Sequence, residues 1–259
     1  MHLIDCHAHL DLVADLPDAL ERARQAGVVG IVAQGRDQRS GEHALGLAAR
    51  HPGFVFPALG IHPYRLASPR LASRLEAELR FVEENLPRAV ALGEVGLDYF
   101  YHEGHQRREL QQEVFRRLCH RAAGLDKPVL VHCWEAWEDC LRLLMEEGVK
   151  RASFHWFSAG PSVLAEVLGR GYYISANPSV ASEEPPRQAA AQAPLSQLLL
   201  ETDAPAEYPS WGASQPADVA RIAHLLAELR GEEVAQIAQA TTANATAFLG
   251  LGVPLRQEL

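Results

Sequence analysis

The feature that most constrains this chain is an alternation repeated along its length. Short apolar, β-rich runs recur at Leu3 to Cys6, Val28 to Ala33, Phe54 to Leu59, Ala89 to Gly93, Pro128 to Val131, Ala152 to Phe154, Gly171 to Ser175 and Leu198 to Glu201. Between them apolar residues return at helical spacing, as in Leu71, Leu75, Leu79 and Val82, or Leu110, Val114, Leu118 and Ala122. Runs that are apolar on both faces suit a parallel sheet covered on both sides. Eight β-then-α units of about 32 residues each predict an α/β fold, a (β/α)8 TIM barrel filling residues 1–259 as one domain. An open doubly wound sheet is the alternative, but no G-x-G-x-x-G turn follows the first run. The stretch from Ala181 to Pro194, rich in Ala, Pro, Glu and Gln, reads as a surface loop with a short helix.

Composition limits what such a barrel can bind. With 47% hydrophobic residues the chain can build a core, and Lys+Arg 24 against Asp+Glu 33 leaves a formal charge of −9. An acidic chain lacks the broad positive field that gathers polyanions, so any such substrate must be held by a local device such as metal ions. Cys6, Cys119, Cys133 and Cys140 form no C-x-x-C pair and suit a reducing compartment. No basic-then-apolar leader and no membrane-length apolar stretch is present, so the expectation is a soluble, cytoplasmic monomer with no membrane partner.

In a barrel, residues at the C-terminal ends of the strands face the active-site mouth. His7 and His9, two apart at the end of the first run, point the same way if the chain is extended. His62 follows the third run, Glu94 the fourth, His132 the fifth, His155 the sixth and Asp203 the eighth. Each alone has an ordinary reading: a lone histidine is usually a hydrogen-bonded structural residue, and Asp203 could cap a helix. Those readings do not explain why all fall at the same end of successive strands, where unpaired buried carboxylates are costly. His2, His43, His51, His102, His105, His120 and His224 fall outside the pattern and read as surface or loop residues.

Four imidazoles (His7, His9, His132, His155) and two carboxylates (Glu94, Asp203) exceed the three protein ligands of one catalytic zinc. Two divalent ions are therefore expected, with Glu94 as the bridge because a carboxylate has two oxygens to share. Imidazole suits Zn2+ or Mn2+, while phosphoryl chemistry suits Mg2+.

The runs Ile4 to Asp11, Gly60-Ile61-His62-Pro63, Gly93 to Tyr99, Lys127 to His132, His155 to Ser158 and Leu200 to Pro205 closely resemble the TatD family of metal-dependent deoxyribonucleases, and Ala240 to Phe248 resembles that family's closing helix with its Asn. The resemblance implies an amidohydrolase-type TIM barrel with a binuclear centre that hydrolyses phosphodiesters, commonly as a 3′-to-5′ exonuclease. By that similarity His7, His9 and Asp203 would hold one ion, His132 and His155 the second, and Glu94 would bridge. Asp203 and Glu94 are the expected catalytic carboxylates, with Asp203 deprotonating the attacking water and His62 facing the phosphate.

Two departures from the family pattern bear on substrate. Where many relatives carry Ser-Arg after the fifth-strand His, this chain has Cys133-Trp134, and Trp134 is a candidate to stack on a nucleobase or to pack in the helical layer. Glu207 to Pro216, where relatives often carry Arg and Lys, holds no basic residue. The Arg107, Arg108, Arg116, Arg117 and Arg121 set interleaves with Glu109 and Glu113 and reads as a solvated face. The expected partner is thus a nucleic-acid end or small phosphodiester. The rivals are a metal-dependent ester or amide hydrolase, including aminoacyl-tRNA deacylation, and a component active only with a protein partner that docks on Tyr208 and Trp211.

Overall fold

The computed structural model describes residues 1–68, 71, 73–100, 105–209 and 211–252. All eight expected runs are strands: β1 Leu3–Ala8, β2 Val28–Gln34, β3 Val55–Leu59, β4 Ala91–Asp98, β5 Val129–Trp134, β6 Ala152–Phe154, β7 Tyr173–Ala176 and β8 Leu198–Leu200. They pair in sequence order, every neighbour parallel. The (β/α)8 barrel is therefore the observed fold.

The helices that cover it are α1 Leu16–Gln25, α2 Gln38–Arg50, α3 Leu75–Asn85, α4 His105–Gly124, α5 Trp137–Glu146, α6 Pro161–Gly169, α7 Glu184–Gln192, α8 Val219–Arg230 and α9 Val234–Leu249. Their boundaries follow local chemistry. Asp37 caps α2 through the Ser40 N–H, and Ser40 returns the bond to the Asp37 backbone. Gly231 and Gly250 end α8 and α9 in the left-handed conformation. The Ala181 to Pro194 stretch holds the end of a 3-10 turn and α7, as its composition implies.

Two apolar layers hold the barrel. One joins outward strand residues such as Leu3, Ile31, Leu59 and Leu92 to Leu20, Leu47 and Leu79 of the helices. The other gathers Ile4, Val32, Ala58, Ala91, Leu130 and Leu199 with Phe248 and Leu249 of α9. Drawn from six of the eight strands and alternating with the outward set, these residues make the pattern of a filled barrel interior. The Arg-rich face of α4 is spent on its neighbours: Arg116 pairs with Glu146 and Glu147, and Arg117 with Glu76 and Glu83.

Closure between β1 and β8 is made largely by residues beyond β8. The buried Asp5 carboxylate accepts from the Thr202 N–H (3.0 Å), the Thr202 hydroxyl (2.6 Å) and the His7 N–H (3.2 Å). Asp203 N–H donates to His7 C=O (2.9 Å) and His9 N–H to Ala204 C=O (2.7 Å). The same bonds that close the barrel fix the backbone of three expected site residues.

Asn244 in α9 donates to the Leu195 and Leu198 carbonyls, both at 2.8 Å, pinning the last helix to the entry of β8. Asn244→Ala leaves those carbonyls without these donors, and denaturant unfolding should show a loss of about 1 to 3 kcal/mol.

Candidate functional site

Glu94, His7 and His132 lie inside strands rather than after them, because β4 and β5 run on beyond their apolar runs and β1 extends to Ala8. Between Leu92 and Val95, β4 advances three residues while β5 advances two, from Val129 to Val131. Such a bulge re-aims a side chain, and of the two residues between those pairs, Gly93 and Glu94, only Glu94 carries one. Two glycines make room for it. A Cβ on Gly60 would collide with the Glu94 carbonyl, and one on Gly96, at φ 146°, would collide with the His132 carbonyl.

The Glu94 carboxylate, 1% exposed, divides its surroundings. Oε2 faces His7 Nε2 (3.5 Å) and His9 Nε2 (3.4 Å), and both imidazoles also face Asp203 Oδ1 (3.4 and 3.3 Å). Oε1 faces His132 Nδ1 (3.0 Å), His155 Nε2 (3.0 Å) and His62 Nε2 (3.2 Å). The four expected imidazole ligands and His62 thus converge on Glu94, and Asp203 joins the group through His7 and His9.

Donor atoms held at about 2.1 Å by a shared ion sit about 3.0 to 3.4 Å from one another, close to these separations. His7 Nε2, Glu94 Oε2 and Asp203 Oδ1 are buried and have no hydrogen-bond partner. Orphaned polar atoms facing each other are costly unless a cation is shared among them. Ligand atoms lie close enough to share an ion in three overlapping groups: His7, His9 and Glu94; His7, His155 and Glu201; and His62, Glu94 and His132, of which the last depends on the His62 tautomer.

His62 is distinguished by its second nitrogen. Its Nδ1 accepts the Tyr64 N–H at 3.0 Å, capping the 3-10 turn Pro63–Ala67, so in the neutral ring the proton sits on Nε2. That tautomer donates into the cavity and cannot ligate through Nε2. Burial pushes His62 down to about 4, which keeps the ring neutral.

Burial also pushes the Glu94 carboxyl up, but His62, His155 and His7, with the His132 hydrogen bond, outweigh it and hold it well below the usual range. Asp203 is likewise lifted by burial and brought below its usual value by His9 and His7. His7 is lowered by burial and by His155. His155 and His132 are raised despite burial, His155 chiefly by Glu94 and His132 chiefly by Asp98.

Two carboxylates not singled out among the expected site residues support these rings from behind. His132 Nε2 lies 3.3 Å from Asp98 Oδ2, and His155 Nδ1 lies 3.6 Å from Glu201 Oε1. Glu201 is itself held by the Trp156 N–H (2.9 Å), the Ser175 hydroxyl (2.6 Å) and Asn177 Nδ2 (3.2 Å). Carboxylates on the far nitrogen fix tautomer and ring orientation. Both residues stood within the sequence motifs, but only the strand register showed which imidazole each one serves.

A cavity of about 500 Å³ opens over the centre, lined by Trp134, Trp156, Ser158, Glu183 and Cys133 beside the imidazoles and carboxylates. Trp134 is at its wall, 38% exposed and stacked on Phe100 at 4.9 Å, so it is not packed in the helical layer. The proposed aromatic docking surface is corrected: Tyr208 is 2% exposed, and Trp211 is half-buried beneath Arg221, whose guanidinium lies 3.6 Å from its ring centroid. His2, His43, His51, His120 and His224 do not line the cavity, and His102 lies outside the described residues, as does the side chain of His105.

Comparison with known proteins places this geometry. The family model "TatD related DNase" matches residues 4–250. The human protein named Deoxyribonuclease TATDN3 is 34% identical over 94% of this chain and 93% of its own length. The Bacillus subtilis protein named Uncharacterized metal-dependent hydrolase YabD is 31% identical over 94% of this chain and 97% of its own. The crystal structure of the TatD homolog YJJV from Escherichia coli superposes with a TM-score of 0.83 at 29% identity, covering 95% of this chain and 97% of that one.

Two measurements check the electrostatics. In metal-free protein, histidine NMR should find His62 as the Nε2–H tautomer down to pH values near its midpoint of about 4. Glu201→Gln should weaken the affinity for divalent metal by about 10- to 100-fold, read by chelator competition.

Proposed function

Because this chain belongs to the TatD-related DNase family and is a metal-dependent hydrolase of phosphodiester bonds, we propose that it removes nucleotides from a nucleic-acid end in the 3′-to-5′ direction at a centre of two divalent ions. The observation that carries the two-ion reading is the division of Glu94: each oxygen faces a different imidazole set. His7, His9 and Asp203 would hold one ion and His132 and His155 the other, with Glu94 bridging. Mg2+, Zn2+ and Mn2+ all suit a mixed imidazole and carboxylate site.

When bound, the ions neutralise charge on the phosphate and lower the pKa of water. Asp203, held anionic and lining the cavity, would orient the attacking water and take its proton for in-line attack. His62 donates from Nε2 to a nonbridging phosphate oxygen or to the leaving group, the role its tautomer supports. Glu201 and Asp98 hold the His155 and His132 rings in place. Trp134 offers its exposed face to the terminal base, where stacking contributes about 1 to 3 kcal/mol.

A second reading, hydrolysis of a carboxyl ester or amide such as an aminoacyl-tRNA bond, is favoured by one observation. No Lys or Arg lines the cavity among the described residues. End-labelled single-stranded DNA, a small phosphodiester and a small ester, each tested with metal-loaded protein, separate the readings: ester turnover alone would overturn the nuclease. Glu94→Ala should abolish phosphodiester hydrolysis and reduce bound metal on elemental analysis, whereas full activity in that variant would sink the two-ion scheme.

A further inference from the structure

Beyond the groups that converge on Glu94, the cavity wall consists of two indoles, a thiol, a hydroxyl and one carboxylate: Trp134, Trp156, Cys133, Ser158 and Glu183. This is an unusual wall for a polyanion. It carries no positive charge for a second phosphate, and Glu183 repels one. Flat apolar surfaces beside an isolated acceptor instead match a planar heterocycle that carries N–H donors.

Glu183 is presented deliberately by the local fold. The Asn177 side chain accepts from the Ser179 N–H (3.0 Å) and hydroxyl (2.6 Å), shaping the 3-10 turn Pro178–Ala181, and Glu183 N–H then donates to Ser179 C=O at 2.7 Å. Asn177 also donates to Glu201, so the turn bearing Glu183 is braced against the residue behind His155. Glu183 stands at the N-cap of α7, yet its side chain makes no capping bond. No protein donor among the described residues pairs with its carboxylate. Trp156, at φ 43° and packed on Tyr208 at 4.8 Å, is held on the same rim.

We propose that Glu183 is a specificity-determining residue that reads the Watson–Crick edge of the terminal nucleobase, while Trp134 and Trp156 hold its faces. The proposal rests on the phosphodiester reading of the site for its substrate class. A carboxylate only accepts, so it selects for the donors on that edge. Guanine offers two adjacent donors, N1–H and the N2 amino group, which can meet both oxygens. Cytosine and adenine offer one amino group flanked by a repelling ring nitrogen, and thymine offers N3–H between two carbonyls that repel the carboxylate. The expected order is guanine first and thymine last.

The test has two arms. Indole fluorescence of the metal-free protein is titrated with deoxyguanosine and with thymidine, and metal-loaded protein is given four end-labelled oligonucleotides that differ only in the 3′-terminal base. Deoxyguanosine should bind about tenfold tighter than thymidine, with guanine ends cleaved preferentially by a similar factor. Glu183→Gln, isosteric and able to donate, should collapse both ratios, while Trp134→Ala should weaken both nucleosides together and leave the ratio standing. Equal wild-type affinities, or a ratio that survives Glu183→Gln, overturns the inference. Cleavage without base preference sinks it and spares the nuclease reading; selective nucleoside binding without cleavage of any oligonucleotide does the reverse.

Discussion

Everything at the mouth of this barrel depends on one buried anion. The Glu94 carboxylate is removed from water and surrounded by His7, His9, His62, His132 and His155, whose facing nitrogens lie within 3.5 Å. Removing a carboxylate from water is expensive, and the imidazoles repay only part of that through donated protons. The remainder is the reason the site fits cations: positive charge placed between Glu94 Oε2, Asp203 Oδ1 and His7 Nε2 takes up the lone pairs of all three.

The barrel supplies what makes such an arrangement stable. Its interior is apolar from Ile4 to Leu199 and is plugged by Phe248, so polar groups are concentrated at the opposite end. There the Asp5 to Thr202 bonds and the β4 bulge determine where His7, Asp203 and Glu94 stand. The ring-holding carboxylates continue the same logic one layer further out: Asp98 and Glu201 are buried, and each faces an imidazole that in turn faces Glu94. At the β1 to β8 seam stability and function share bonds, since the contacts that close the barrel also place His7, His9 and Asp203.

The charge of the molecule is distributed to match. The formal −9 argues against a long electrostatic track, and Arg116 and Arg117 of α4 are engaged with Glu76, Glu83, Glu146 and Glu147. What faces the substrate is a compact centre for cations with an aromatic and acidic wall above it. Recognition is therefore concentrated on the reacting group and its immediate neighbours.

The eight strands, their parallel order and the convergence of seven side chains at one end were legible in the sequence, because strand alternation and helical spacing are local periodicities and a barrel turns strand position into spatial position. The strand limits were less so: β4 and β5 continue through polar residues, since backbone pairing, not hydrophobicity, carries Gly96 and Asp98 alongside His132 and Trp134. Tertiary structure alone decided which Glu94 oxygen meets which imidazole, that His62 spends Nδ1 on Tyr64, and that Tyr208 is buried. It alone brought Glu183, a residue in an unremarkable acidic stretch, into the same cavity as Trp134. Residue types and their order are properties of the chain, but the direction of a lone pair and the contents of a cavity wall depend on register, bulges and turns set by contacts far apart in sequence.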